Sequence, residues 1–417
     1  MKKQKILISN GNPYIFRDSL FPIIPEISKY FEVFLITTDF HYRNHFDKPY
    51  EWKKNGIIND FFIYPYEDTF KQFLVLKSNQ EYLSSLHFDV FVTGDEIHPI
   101  SRYLLDCVIP DKCLRILLYY APSSYLYFKN VSIGKQITEA YRKNQGIQKK
   151  LVESIPSALS EKQIQKSHYE RNIIAPLFFG KAFPFFKYDN LTRISSGKYA
   201  DLILMHNEED ADAHKLLLNK KHIYSVEYPT AGLCRCNTVN ERNSILLLIP
   251  QSAYTSRISK EMFEHFIRDV IITVNESGAK SVHLRPHPRD EGLLPKQLTN
   301  YLNTIGIQTE LKRPEQPVYE IICSYIGIAG MASGSFLDAG AACQYAFVVG
   351  FESISSVIFN KYYISDPKSH YERSQVTINW IESTGKYDPI IFKRQKRTLP
   401  TLPSIPDFIL KFSGNRN

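Results

Sequence analysis

The chain has 417 residues, of which 43% are hydrophobic and 23% charged, and these values are typical of a globular protein rather than a disordered one. Its 51 Lys and Arg residues against 43 Asp and Glu residues give a net charge of +8. So mild an excess fits a nucleotide, an anionic glycan or a membrane surface, and no nucleic-acid-binding motif accompanies it. A chain of this length predicts two domains.

Cysteine usage and hydropathy predict a reducing, aqueous location. The six cysteines are scattered, and Cys234 and Cys236 have no second pair at zinc-ligand spacing, so we expect free thiols. The apolar run at the N-terminus ends at Ser9, which is too early for a signal peptide, and no run of about 18 apolar residues occurs. We therefore expect a cytoplasmic protein without a transmembrane span.

The first half of the chain alternates short apolar strands with helical segments. A strand over residues 5–9 leads into the turn Asn10-Gly-Asn-Pro13, and a second strand covers residues 31–37. This order is typical of a parallel α/β sheet, in which ligands bind at the carboxyl ends of strands, so Asn10 and Gly11 are candidate binding residues. Further strands are predicted over residues 56–64, 88–93, 114–119 and 199–205, with helices over residues 18–30, 133–164 and 208–218. An aromatic stretch at residues 176–188 could be an acceptor loop, a membrane-facing loop or a buried corner.

The alternation starts again after a linker-like stretch at residues 226–232, so we predict domains of residues 1–232 and 233–417. The strand over residues 244–249 ends in a Pro-Gln-Ser turn, which makes Gln251 and Ser252 candidate binding residues. The basic run at residues 393–397 could touch anionic lipid or be a solvated face, and the tail that contains it could pack back on the first domain. Strands are also predicted over residues 280–284, 309–312, 325–329 and 345–349, with helices over residues 259–277, 293–302, 317–323 and 335–344.

The turn Arg285-Pro-His-Pro288 follows a predicted strand directly. The prolines on either side of His287 restrict the backbone and remove competing N–H donors, so the imidazole is held in one direction. A protonated His287 donates from both ring nitrogens and could neutralise a departing phosphate, and Arg285 could bind the same group with two parallel hydrogen bonds. The alternative is a histidine that only satisfies a tight turn. The flanking arginines favour an anion site that includes Pro288.

A second turn, Gly330-Met-Ala-Ser-Gly-Ser335, lies between a predicted strand and a predicted helix. Glycine lets the backbone approach a ligand closely, and the hydroxyls of Ser333 and Ser335 could donate to phosphate oxygens together with the first N–H groups of the helix. The alternative is an ordinary strand-to-helix turn with a serine N-cap. Gly330, Ser333, Gly334 and Ser335 are candidate phosphate-binding residues.

An acidic pair, Asp95 and Glu96, follows Gly94 at the end of a predicted strand. One carboxylate could act as the general base that activates a sugar hydroxyl, and the alternative is a pair of surface acids. Three further histidines, His206, His214 and His222, are interpreted as helix or surface residues.

With these motifs the chain resembles the bacterial sialyltransferases and polysialyltransferases, and the related Kdo and other nonulosonate transferases of capsule and lipooligosaccharide assembly. His287-Pro288 matches the His-Pro motif of that group, and Ser333 and Ser335 match its serine motif. The resemblance implies an α/β GT-B fold of two facing Rossmann-like domains with a cleft between them. It also implies that His287 contacts the phosphate of CMP and that the serines hold that phosphate.

The acidic motif matches less closely, because the group places glycine after the acids whereas Gly94 precedes Asp95 and Glu96 here. The predicted reaction moves a nonulosonate from a CMP-activated donor to a hydroxyl of a surface glycan, with Asp95 or Glu96 as base. No metal is implied, since a CMP-sugar carries one phosphate and no Asp-x-Asp run lies beside a strand. The expected partners are the donor, the glycan acceptor and the cytoplasmic face of the inner membrane, and not nucleic acid.

Other functions remain open at this point. The His-Pro motif, with a similar serine turn, also occurs in the CDP-glycerol glycerophosphotransferases of teichoic-acid synthesis, which share a GT-B-like fold. The donor could therefore be linked to UDP or CDP. The chain could also be a UDP-sugar epimerase or a non-catalytic glycan-binding protein, since fold alone does not determine function.

Overall fold

The computed structural model forms two compact units. Among the described residues, the first unit contains those up to residue 226 together with 403–414, and the second contains residues 227–402. Residues 227–232 were predicted to end the first domain but belong to the second unit. There Gly232 donates its N–H to the carbonyl of Ala341 (3.1 Å), and Thr230 donates its hydroxyl to the carbonyl of Asp338 (3.0 Å). The structure describes residues 3–10, 16–38, 47–65, 69–94, 99–119, 200–208, 211–212, 215, 222–233, 243–249, 259–287, 293–312, 316–362, 366–372, 374–393 and 396–414.

Several sequence predictions fall outside these ranges. They are the helix over residues 133–164, the aromatic stretch 176–188, the cysteines Cys234 and Cys236, and the candidate site residues Gly11, Asp95, Glu96, Gln251, Ser252 and Pro288.

The described part of the first unit is built on a parallel sheet in the order β3-β2-β1-β4-β5-β6-β7. The strands are short and mostly buried, as expected for a parallel sheet that is covered on both faces. They are β1 (Gln4–Ser9), β2 (Phe31–Thr38), β3 (Asp60–Tyr64), β4 (Val90–Thr93), β5 (Leu114–Leu118), β6 (Leu202–Met205) and β7 (Ile223–Ser225). The helices are a π-helical turn (Phe16–Leu20), a 3-10 turn (Phe21–Ile23), α1 (Ile24–Ile27), α2 (Asp47–Lys54), α3 (Thr69–Ser85) and α4 (Pro99–Cys107).

The second unit repeats this architecture with a parallel sheet in the order β10-β9-β8-β11-β12-β13. Its described strands are β8 (Ser244–Leu248), β9 (Ser281–Arg285), β10 (Gln308–Leu311), β11 (Gly327–Gly330), β12 (Phe347–Phe351) and β13 (Asn379–Ile381). The helices are α5 (Lys260–Ser277), α6 (Leu293–Thr304), α7 (Val318–Ile321) with a 3-10 turn (Ile322–Ser324), α8 (Gly334–Ala342), α9 (Glu352–Tyr362), α10 (Pro367–Glu372) and a 3-10 turn (Pro389–Phe392). The last helix, α11 (Ile405–Gly414), belongs to the first unit.

Helix α5 begins and ends where its sequence predicts. Ser259 is the N-cap, and its hydroxyl accepts the N–H of Met262 at 3.2 Å. Gly278 ends the helix with a φ of 67°, a left-handed conformation that glycine adopts without steric strain.

The C-terminal helix α11 packs on the first unit. Ile405 and Ile409 are buried in the hydrophobic core of that unit, and the rings of Phe408 and Phe412 lie 5.2 and 5.6 Å from the ring of Tyr224 on β7. The helix therefore covers the sheet beside its last described strand.

The basic run before α11 is not uniformly exposed. Lys393 and Lys396 are exposed, but the guanidinium of Arg397 donates to the carbonyls of Gly340 (3.0 Å) and Cys343 (2.7 Å). Burial lowers the pKa of Arg397 to about 10, so it remains charged at neutral pH. Arg397 therefore caps the carboxyl end of helix α8 and is not part of a solvated face.

The cysteine prediction is wrong at one position. Cys107, Cys113 and Cys343 are free, but Cys323 is disulfide-bonded. Spacing along the chain carries no information about which thiols meet in the fold, and this pairing could not be predicted from the sequence.

Among the described residues, no helix has the length and apolar character needed to cross a membrane.

Gly330 is required by the sheet itself. Its φ is +118°, and a Cβ placed there would lie 2.3 Å from the carbonyl oxygen of Leu248 on the neighbouring strand β8. The sequence analysis assigned this glycine to close approach of a ligand, whereas the described contact is with the protein backbone.

We expect Gly330→Ala to lower the free energy of unfolding by roughly 2–4 kcal/mol, because both the backbone conformation and the Cβ contact are unfavourable. Urea unfolding measures this change. Gly414→Ala is the matched control, since a Cβ at Gly414 has no neighbour within 4 Å, and it should change stability by less than about 0.5 kcal/mol. Equal losses in the two variants would contradict this account of Gly330.

We also expect stability to depend on His370. Burial lowers its pKa to about 4, and its ring packs against Phe359 and Tyr371. An unfolded histidine has a pKa near 6.5, so the unfolded state binds the proton more tightly between about pH 4 and pH 6.5. The contribution of neutral His370 to the free energy of unfolding is therefore fully present above pH 6.5 and is lost as the pH falls towards 4.

The variant His370→Phe keeps an aromatic ring and removes the titration. Relative to it, the wild type should lose roughly 2–3 kcal/mol between pH 7 and pH 4. Thermal unfolding across this range measures the difference, and parallel pH profiles of the two proteins would contradict the prediction.

Candidate functional site

The two turns singled out by sequence follow strands β9 and β11, which lie on either side of strand β8 in the second sheet. The first contains His287, and the second is the serine turn (Gly330–Ser335). Leu248, at the carboxyl end of β8, is in register with Arg285 at the end of β9 and with Gly330 at the end of β11. The N–H of Ile249 donates to Arg285 at 3.1 Å, and the N–H of Met331 donates to Leu248 at 3.4 Å. The turns therefore start at the same edge, separated by two strand spacings of roughly 10 Å in total.

Arg285 and His287 differ in their exposure. Arg285 is only 5% exposed, whereas His287 is half-buried, and both make contacts with other residues. His287 is therefore the more accessible of the two to a ligand at the sheet edge, and Arg285 provides a buried positive charge at the end of the same strand.

A polar network that the sequence analysis missed lies on the same face of β9 as Arg285. The Nδ1 atom of His283 is 3.1 Å from the hydroxyl of Tyr325, and its Nε2 atom is 3.4 Å from the carboxylate of Glu310, which also pairs with Lys312. Because side chains alternate along a strand, the predicted strand could have indicated that His283 and Arg285 share a face.

The electrostatics of this network follow from burial. Burial and, to a lesser extent, the charge of Glu310 raise the pKa of Tyr325 to about 12, and the positive charge of Arg285 opposes both effects. Burial and the neighbouring Lys312 lower the pKa of His283, and Glu310 opposes them. Desolvation thus favours neutral Tyr325 and neutral His283 close to the charged Arg285.

The serine turn presents polar groups at the start of helix α8. Ser333 is the N-cap, with an extended backbone (φ −154°, ψ 172°) and no side-chain capping bond. Ser333, Gly334 and Ser335 are half-buried, whereas Met331 and Ala332 are buried. The first N–H groups of a helix have no acceptor within it, so this turn can donate both N–H groups and hydroxyls to an anion.

Two described residues hold the serine turn and helix α8 in place. The hydroxyl of Ser355 on helix α9 accepts the N–H of Ala332 at 3.0 Å, and Ser355 is fully buried. The cationic Arg397 binds carbonyls at the other end of helix α8, where positive charge is favourable for the helix dipole. Ser355 belonged to no sequence motif, and Arg397 belonged to the basic run at residues 393–397, so the structural role of neither was found from the sequence.

Among the candidate site residues predicted in the first unit, Asn10 is the one that lies within the described ranges. It is fully buried at the end of β1, and its N–H donates to Ile36 at 3.3 Å. Strand β4 lies beside β1 in the sheet. The hydroxyl of Thr93 on β4 lies 3.0 Å from that of Ser101 on helix α4, and Asp95 and Glu96 lie between these two residues in the sequence.

His206 was interpreted wrongly as a helix or surface residue. It follows strand β6 directly and is 4% exposed, together with the buried Asn207. Its position is therefore the carboxyl edge of the first sheet. The predicted strand over residues 199–205 already indicated this edge, because His206 is the next residue.

Comparison with known proteins supports the fold. No protein-family model matches the chain, and no curated protein matches it. The solved UDP-GlcNAc 2-epimerase of Methanocaldococcus jannaschii, in complex with UDP-GlcNAc and UDP, is similar over 99% of this chain and 100% of its own, with 13% identity and a TM-score of 0.54. Another solved UDP-N-acetylglucosamine 2-epimerase is similar over 100% of this chain and 98% of its own, with 14% identity and a TM-score of 0.52.

At this level of identity the comparisons establish the fold alone. The predicted fold class is confirmed: the chain has two parallel α/β sheets of Rossmann-like type, as in proteins of the GT-B fold.

Proposed function

We propose that this protein is a glycosyltransferase that binds the phosphate of a nucleotide-activated sugar at the carboxyl edge of its second sheet. The observation that carries this proposal is the position of the His287 turn and the serine turn on either side of β8. Both turns offer hydrogen-bond donors, and the edge where they start is the one at which parallel α/β sheets bind ligands.

The chemistry follows from the charge on the leaving group. When the bond between the sugar and the phosphate breaks, negative charge grows on the phosphate oxygens. The N–H groups of the serine turn, the hydroxyls of Ser333 and Ser335 and a protonated His287 would stabilise that charge, since donors already in place need no reorganisation during the reaction. Arg285 would add a positive potential from its buried position.

We further propose that the donor is a CMP-activated nonulosonate and that the acceptor is a glycan hydroxyl. This part rests on the resemblance of the His-Pro and serine motifs to the sialyltransferase group. Asp95 or Glu96, which follow β4 in the sequence, would remove the proton of the attacking hydroxyl, and the bond from the anomeric carbon to the CMP oxygen would break. The reaction would need no metal ion.

A second candidate is a UDP-sugar 2-epimerase. The two similar structures described above, each with a TM-score above 0.5, are UDP-GlcNAc 2-epimerases, and one of them contains UDP-GlcNAc and UDP. The same donors could hold a diphosphate. Incubation with UDP-GlcNAc, followed by NMR of the sugar, would reveal inversion at C2 if this candidate is correct.

The nucleotide preference is tested by thermal unfolding with CMP, CDP and UDP. A ligand at 100 times its Kd stabilises the native state by about 2.7 kcal/mol, so the preferred nucleotide should raise the Tm by several degrees. We expect CMP to give the largest shift, and His287→Ala to weaken binding about tenfold or more through loss of a contact to the charged phosphate.

His265→Ala is the matched control, because His265 lies on helix α5 of the same unit and outside both turns. It should retain the full shift. A shift with UDP alone would favour the second candidate, and no shift with any nucleotide would contradict the proposal.

The assignment of the base is tested by transfer from a CMP-activated nonulosonate to glycan acceptors. Asp95→Asn or Glu96→Gln should lower the rate by about 10² or more, as expected for loss of a general base, while the Tm shift with CMP is unchanged. Transfer by the wild type should continue in excess EDTA. A complete loss of activity in EDTA, or full activity of both variants, would contradict the mechanism.

A further inference from the structure

We propose that Ser355 is a positioning residue of the phosphate site: by holding the Ala332 amide, it sets the direction in which the serine turn presents its donors. This inference rests on the proposed function of that turn. Ser355 does not contact the ligand in this account and acts through the backbone between Gly330 and Ser333.

The contact joins two neighbouring strand-to-helix connections of the second sheet. Strand β11 leads into the serine turn, and the adjacent strand β12 leads into helix α9, which carries Ser355 in its first turn. The hydroxyl of Ser355 accepts the N–H of Ala332 at 3.0 Å, and both residues are buried, with Ser355 fully excluded from solvent. No solvent can replace this bond, so its geometry is determined by the position of α9.

The bond acts at the point where the chain leaves the sheet. Gly330 has a positive φ and turns the backbone away from β11, and the N–H of Met331 is then bound to Leu248 on β8. The N–H of Ala332 is bound to Ser355. These two bonds fix the chain from the two neighbouring connections, and the next N–H groups, from Ser333 onwards, form the start of helix α8.

Ser355 therefore has two effects on an anion at this turn. It occupies the Ala332 donor, which leaves the following N–H groups and hydroxyls as the donors of the turn. It also fixes their direction, and prearranged donors bind an anion more tightly than donors that must first be ordered.

A purely structural role is the alternative, and the same helix offers a matched control. Ser353 is also buried, and its hydroxyl donates to the carboxylate of Asp269 on helix α5 at 3.4 Å. Asp269 is bound in turn by Arg268, at 2.7 and 2.9 Å. Removing the Ser353 hydroxyl thus removes a buried hydrogen bond of helix α9 that does not contact the serine turn.

The experiment compares nucleotides with nucleosides, because only nucleotides carry the phosphate that the turn would bind. The Kd values of CMP, UDP, cytidine and uridine are measured by calorimetry for the wild type, Ser355→Ala and Ser353→Ala. We expect Ser355→Ala to weaken binding of the preferred nucleotide about tenfold, because a misdirected turn would lose the equivalent of one good hydrogen bond to the charged phosphate. Binding of the nucleoside should stay within about twofold, and Ser353→Ala should change neither.

A further variant keeps the test valid if Ser355→Ala does not fold. Ser355→Cys preserves the size of the side chain and leaves only a weak sulfur acceptor, so it should weaken nucleotide binding in the same direction. An unchanged ratio of nucleotide to nucleoside affinity in the folded Ser355 variants would overturn the inference while leaving the proposed function intact. A wild type that binds neither CMP nor UDP would overturn both.

Discussion

Strand β8 is the constraint on which the candidate site depends. Its last residue, Leu248, is in register with Arg285 on one side and with Gly330 on the other. Because all three strands are parallel, both polar turns leave the sheet at one edge, with only strand β8 between the two strands that they follow. A one-residue shift in the register of either neighbouring strand would move its turn relative to the end of β8 and place its side chains on the wrong face.

The second unit also distributes charge along helix α8 in a consistent way. Its amino end is the serine turn, where N–H groups and the positive end of the helix dipole favour an anion. Its carboxyl end is bound by the buried guanidinium of Arg397. Arg397 was part of a basic run that suggested contact with lipid, yet its charge is used within the protein. A basic run therefore has to be resolved residue by residue before it is assigned to a surface.

Much of the fold could be predicted from the sequence because its signals are local. Apolar runs predicted β1, β2, β8 and β9 closely, and the helix predicted over residues 259–277 agrees with helix α5. The shared edge of the two turns also followed, since parallel strands bring their carboxyl ends together. Contacts between distant residues could not be predicted. The bond from Ala332 to Ser355, the disulfide of Cys323 and the cap supplied by Arg397 depend on packing, and no periodic pattern encodes them. For the same reason the close approach of Gly330 to the carbonyl of Leu248 was not predicted.

The return of helix α11 to the first unit has a consequence for how the gene can be divided. Among the described residues, the second unit is one continuous stretch of sequence, whereas the first needs both ends of the chain. A stop codon before residue 403 would remove Ile405 and Ile409 from the core of the first unit and uncover Tyr224. The first unit therefore cannot be obtained by truncation before residue 403 without the loss of part of its core.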